Sequence, residues 1–204
     1  MSKFIDLVKS KIGCGYVLGS QGEVMTQKLL DSLAHWNTAK NNAIAKKWIG
    51  KQCFDCSGLI VWSLQQLGFI TKAEDYTADT LFYKECTLIT KDELKENDLV
   101  FIKTKNSGIT HVGVYIGNGQ VVEAKGTPYG VVKSTLFKTD FNTFGRLKFD
   151  LEPMDLNKAI DLWHGLIVIG SPEDMKKEFK NEKLTPSRFE AFLIKSAEFV
   201  KGGK

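Results

Sequence analysis

Two cysteines stand three positions apart in KQCFDCSGLIVWSLQQLGF, residues 51 to 69, just before a helical pattern. That spacing suits a redox pair, half of a metal site, or a single nucleophile with a bystander. A redox CxxC belongs at the strand-to-helix junction of a βαβ unit, and no strand pattern precedes Cys53. A zinc site needs four soft ligands with paired spacing, and Cys14, Cys86 and the three histidines supply no second CxxC and no HxxxH. For Cys56 as a nucleophile the local physics is favourable. It opens a helix, where unsatisfied N–H groups and the macrodipole stabilise a thiolate, and Asp55 stands at the N-cap position. The competing reading is a small buried apolar cysteine. Its partners decide.

The partners lie in THVGVYIGNGQVVEAK, residues 110 to 125, which reads as a hairpin. A three-residue loop at Gly117, Asn118 and Gly119 puts His111 opposite Lys125 and diagonal to Glu123 on one face, within reach of a long side chain. A two-residue Asn118-Gly119 turn points Glu123 to the other face. Taken singly, His111 reads as a half-buried strand residue and Glu123 as an exposed charge. The turn decides between the two arrangements.

The elements that must position these groups change character along the chain. Phe4, Ile5, Val8 and Ile12 have helical spacing, ended by Gly13 and Gly15 in the loop GCGYVLGSQGE. Residues 25 to 48 read as one or two helices with Leu29, Leu30, Leu33 and Trp36 as an apolar stripe. Cys56 to Leu67 is a third helix, stopped by Gly68. After residue 86 the period becomes two in DLVFIK, THVGVYIG, QVVEAK, GVVKS and GRLKF. Helices first and strands later predict an α+β domain closing near Asp150. Residues 151 to 204 return to helical stripes, such as Leu156, Ala159, Ile160, Trp163 and Ile167, with capped starts at Ser171-Pro172 and Thr185-Pro186. This predicts a small three-helix appendage, too small to stand unaided, that docks on the first domain, self-associates or binds something else.

The composition, 43% hydrophobic and 25% charged over 204 residues, is that of a globular protein. A net charge of +4 without a basic stripe argues against a nucleic-acid partner, and the basic excess falls wholly within residues 1 to 150. No run of eighteen apolar residues and no basic-then-apolar leader is present, so neither membrane insertion nor a signal peptide is expected. The expected place of synthesis is a cytoplasm, with four cysteines kept reduced or used in chemistry.

FDCSGLIVWSLQQLGF, then ENDLVFIKT, then HVGVYIGNGQVVEA resemble, in order and spacing, the motifs of the NlpC-type papain-like cell-wall cysteine peptidases, and GCGYVLGSQGE resembles their Tyr-bearing glycine-rich loop. The resemblance covers roughly residues 10 to 136. It implies a papain-like domain of N-terminal helices on an antiparallel sheet. It also implies Cys56 as nucleophile, His111 as base and then acid, and Glu123 as the group that orients the imidazole. Glu is a departure, since that position commonly holds His, and a carboxylate there would favour an imidazolium and a Cys–His ion pair. Tyr16 and the N–H of Cys56 become candidate oxyanion donors. Asp55 and Ser57 match positions lining the substrate cleft, and each also reads as a helix cap. Residues 25 to 50, with Trp36 and Trp48, form an insertion expected to wall that cleft. Cys53 lies outside the motif, and a strained bridge to Cys56 would switch the enzyme off.

The resemblance thus implies a peptidoglycan hydrolase that needs no metal or cofactor and cuts a stem-peptide amide, first of all the bond between D-glutamate and the diamino acid. The alternatives are an N-acetylmuramoyl-L-alanine amidase, a thiol acyltransferase or deamidase, and a catalytically dead tail or wall-binding module. Residues 151 to 204 distantly resemble appendages of phage and spore-former wall hydrolases. With no leader, this points to a phage lysin reaching the wall through a pore or in a virion.

Overall fold

The computed structural model describes residues 2 to 149 and residue 151. The expected three-helix appendage lies outside the described residues. Helix α1, Lys3–Lys9, starts where the Ser2 hydroxyl accepts the Phe4 N–H, and it buries Phe4, Ile5 and Val8. Ile12 falls beyond its end and is exposed, so the expected stripe is one residue too long. Residues 25 to 48 form two short helices, α2 (Gln27–Leu33) and α3 (Ala39–Ala45), each running into a single 3-10 turn. Thr26 and Thr38 cap them through their hydroxyls. Leu30 is buried, whereas Trp36 is 62% exposed and belongs to no core.

Helix α4, Cys56–Gln66, is the central element of the core. Leu59, Ile60, Val61 and Leu64 are buried on it, and they join α1 to Phe101, Val112, Val114, Val122 and Ala124 of the sheet. α5 is a single turn, Ala78–Thr80, capped by Thr77. The main sheet contains β3 (Cys86–Ile89), β4 (Leu99–Thr104), β5 (Gly108–Tyr115), β6 (Gln120–Gly126), β7 (Gly130–Thr135) and β8 (Thr143–Leu147). Its order is β3-β8-β4-β5-β6-β7, antiparallel throughout. The face away from α4 carries a second cluster of Val100, Val121, Leu136, Phe141 and Phe144. The architecture is α+β, as the order of periodicities predicts.

A two-stranded antiparallel sheet of β1 (Gln21–Val24) and β2 (Gln52–Phe54) corrects the expectation that no strand precedes the nucleophile. β2 feeds α4 directly, but its partner is antiparallel, so the redox βαβ setting is still not formed. Its alternation separates the first cysteine from the second helix start. Phe54 enters the core around α4, whereas Cys53 enters a cluster with Val17, Met25, Leu30, Ala45 and Trp48. All four cysteines are free thiols.

Candidate active site

Cys56 opens α4 and is 9% exposed. Asp55 precedes it as a true N-cap: Oδ1 accepts the Gly58 N–H at 2.7 Å and the Ser57 hydroxyl at 3.2 Å, while Oδ2 accepts the Gly19 N–H at 2.8 Å. One carboxylate therefore fixes both the helix start and the Tyr-bearing loop. Gly58 is required at the third helical position because a Cβ there would run into the Ser20 carbonyl. The loop is clamped on both sides by backbone hydrogen bonds. Gly15 donates to Gln52 and accepts from Phe54 of β2, while Gly13 and Cys14 pair with Val131 of β7. Tyr16 is thereby delivered next to Cys56 and Asp55, and burial above all raises its phenol above the ordinary range. It remains a neutral O–H donor.

The hairpin question is settled by the backbone. The Ile116 N–H donates to Gln120 at 2.9 Å and the Gln120 N–H to Gly117 at 2.9 Å, closing a three-residue loop. Gly117, Asn118 and Gly119 all have positive φ, at 83°, 51° and 67°. The register follows: Val114 pairs with Val122 and Tyr115 with Val121. Glu123 then lies diagonal to His111, and Oε2 stands 2.7 Å from Nε2. Glu123 thus engages Nε2, and Nδ1 is the ring's other nitrogen. Phe141 stacks on the imidazole, with centroids 5.7 Å apart and planes 19° apart. Gly113, between the two polar residues, leaves space where a Cβ would lie 2.7 Å from Val121, 3.1 Å from Phe141 and 3.3 Å from Glu123.

The β5–β6 ladder does not continue past Val114, and the Val112 N–H faces the sulfur of Cys56. This places the thiol beside the residue that follows His111. Burial first, and the charge of Asp55 second, push the thiol up to about 12, while the N–H groups of Ser57, Val112 and Cys56 itself pull it down. Burial thus works against the thiolate that the helix start favours. Glu123 is buried, which alone would raise its carboxyl; the bond to His111, the Ser134 hydroxyl and the charges of His111 and Lys125 hold it below the usual range. It is an ionised anchor. Its Oε1 has no hydrogen bond of ordinary geometry, and Lys125 Nζ lies 3.8 Å away.

An open cleft of about 450 Å³ runs up to Cys56, lined on one side by Leu18, Gly19 and Trp36 and on the other by Asp75, Tyr76 and Thr110. Asp55 and Ser57 both line it; Asp55 is the helix cap, whereas Ser57 donates its hydroxyl to Asp55 and caps nothing itself. Trp36 walls the cleft, as expected of the insertion. Trp48 does not: it is buried, and its indole N–H donates to the Thr127 carbonyl at 2.8 Å. Sequence reasoning missed Phe141 and the loop around Asp75 and Tyr76, neither of which has a local pattern tying it to Cys56.

A buried cysteine at a helix start thus faces the N–H of the residue that follows a strand histidine held by a carboxylate. Residues 45–144 match the NlpC/P60 family, and the chain belongs to that family through them. The bifunctional muramidase/DL-endopeptidase CwlT of Bacillus subtilis is 32% identical over 148 residues, 65% of this chain and 42% of that protein. The murein DD-endopeptidase MepH of Escherichia coli is 38% identical over 76 residues, 36% of this chain and 27% of MepH. The chain therefore spans less than half the length of these curated relatives. Among solved structures, NlpC1 from Trichomonas vaginalis aligns over 71% of this chain and 42% of its own, with a TM-score of 0.51 at 26% identity. The P60 domain of antigen MAP1204 from M. avium subspecies paratuberculosis aligns over 72% of this chain and 94% of its own, with a TM-score of 0.50 at 23% identity, a likeness of fold alone.

Proposed function

We propose that the protein is a peptidoglycan hydrolase, a cysteine peptidase that cuts the bond between D-glutamate and the diamino acid of bacterial stem peptides. The observation that carries this reading is the 2.7 Å contact between His111 and Glu123, on a strand whose next N–H faces the Cys56 sulfur. The choice of bond rests on the likeness to CwlT, which extends over 148 residues, against 76 for the DD-endopeptidase MepH.

The chemistry follows from the positions of the protons. As the Cys56 sulfur attacks the carbonyl carbon, its proton passes to Nδ1 of His111, and Glu123 stabilises the imidazolium through Nε2. The oxyanion accepts from the Cys56 N–H and the Tyr16 hydroxyl. His111 then returns the proton to the nitrogen as the C–N bond breaks, leaving a thioester on Cys56. A water gives one proton to His111 and attacks the thioester, and the acid and the free thiol are restored.

Mass spectrometry of purified peptidoglycan fragments after incubation with wild-type protein and with Cys56→Ala tests the reading. A new amine on the diamino acid, formed only by wild type, is the expected result. A new amine on L-alanine would assign the amidase instead. No cleavage of any wall type by folded protein would overturn hydrolysis.

A further inference from the structure

Lys125 follows Glu123 by two residues on β6, where the β6–β7 register shifts, and its side chain turns toward Glu123. Its side chain is 40% exposed, and its ammonium stands 3.8 Å from Glu123 Oε1, beyond hydrogen-bond length. Tyr129 supports it from below, with the ammonium 5.8 Å from the ring centroid. The ammonium therefore keeps its N–H donors while sitting at the edge of the catalytic dyad. The cleft that reaches Cys56 is separate and of opposite sign: Asp55, Asp75 and Asp79 line it, while His111, Glu123, Lys125 and every other lysine or arginine are absent from its lining.

The two sides correspond to the two halves of a substrate. The acyl half stays bonded to Cys56, in the cleft of Gly19, Asp55 and Asp75. The amine half takes its proton from His111 and departs on the side of His111, Glu123 and Lys125. A carboxylate arriving there would be repelled by Glu123 unless a cation stood between them. Lys125 is that cation.

We propose, on the proposed reading of the protein as a stem-peptide hydrolase, that Lys125 is a specificity residue that receives a free carboxylate on the amine-side fragment. The preferred substrate then carries an unamidated diamino acid. Other charged or polar groups facing Glu123 are His111 of β5 and Ser134 of β7.

The test compares two synthetic tripeptides of L-alanine, γ-linked D-glutamate and diaminopimelic acid, one with the diaminopimelate carboxyls free and one with both amidated. Wild type is expected to favour the free acid in kcat/KM by about fivefold, the scale of one half-exposed ion pair. Lys125→Gln is expected to bring the two peptides level, chiefly through KM, and Lys125→Arg to restore the preference. A residue that only positioned Glu123 would lower both peptides alike and leave their ratio unchanged. Equal cleavage of both by wild type, or a preference that survives in Lys125→Gln, overturns the role of Lys125 while leaving the hydrolase reading intact. Failure of wild type to cut either peptide overturns both.

Discussion

His111 Nε2 and Glu123 Oε2 stand 2.7 Å apart across a hairpin whose three-residue loop alone gives them a common face. The distance depends on turn geometry as much as on either side chain. One fewer loop residue would direct the carboxylate into the core around α4.

Replacing that carboxylate by an amide separates charge from shape. Glu123→Gln still accepts the Nε2 proton but cannot stabilise the imidazolium, and kcat is expected to fall on the order of 10²-fold. Steady-state kinetics on stem peptides measures this.

The same residue gives a pH dependence of stability with a definite sign. The folded Glu123 carboxyl lies below its ordinary value, so the stability it contributes is present above the ordinary glutamate range. That stability is lost as pH falls through the depressed value. Thermal melts of wild type and Glu123→Gln between pH 7 and about pH 3 should converge toward the acid end. Melting curves that stay parallel would contradict this.

Asp55 is the second anion at the site, and its charge raises the thiol. Asp55→Asn keeps a capping oxygen for Gly58 yet loses the acceptor for Gly19. Stability should drop by about 1 kcal/mol while the alkylation rate of Cys56 rises at lower pH than in wild type. Iodoacetamide kinetics across pH reads the shift directly.

Two glycines give packing tests that agree on stability and differ on activity. Helix propensity alone favours Gly58→Ala by about 1 kcal/mol. The Ser20 carbonyl stands in the way of the new methyl, so the substitution is expected to destabilise by about 1 to 3 kcal/mol. Denaturant unfolding decides the sign.

Gly113→Ala introduces a methyl among Val121, Phe141 and Glu123. It should cost a similar 1 to 3 kcal/mol and, unlike Gly58→Ala, also lower kcat at temperatures where the protein remains folded. Displacement of the imidazole from Phe141 is the cause, and kcat set beside the melting temperature of the same variant checks it.

The later strands were legible because alternation is sustained there over five to eight residues, and α4 because a cap, an apolar stripe and a stop glycine coincide. The short strands β1, β2 and β3 have three or four residues each, too few for a period to show. β3 finds its partner β8 only through the closed sheet. For the site, spacing left Cys56, His111 and Glu123 open to structural readings and to one undecided turn, and it was the family resemblance that singled them out. Trp36 looked like core because three leucines share its helical face, yet a 3-10 turn carries it out into the cleft. The helix start at Cys56 is visible in sequence, whereas the burial of its thiol was not legible there.

Cys53 turns to the opposite side of β2 from the core that holds Cys56. The nearest thiol in sequence is therefore no resolving partner. Peroxide reaching Cys56 would leave a sulfenic acid that Cys53 cannot convert to a disulfide, and further oxidation would lead to sulfinate. Recovery from such damage would depend on a small thiol from outside, so the catalytic lifetime of the protein is tied to the redox state of its surroundings.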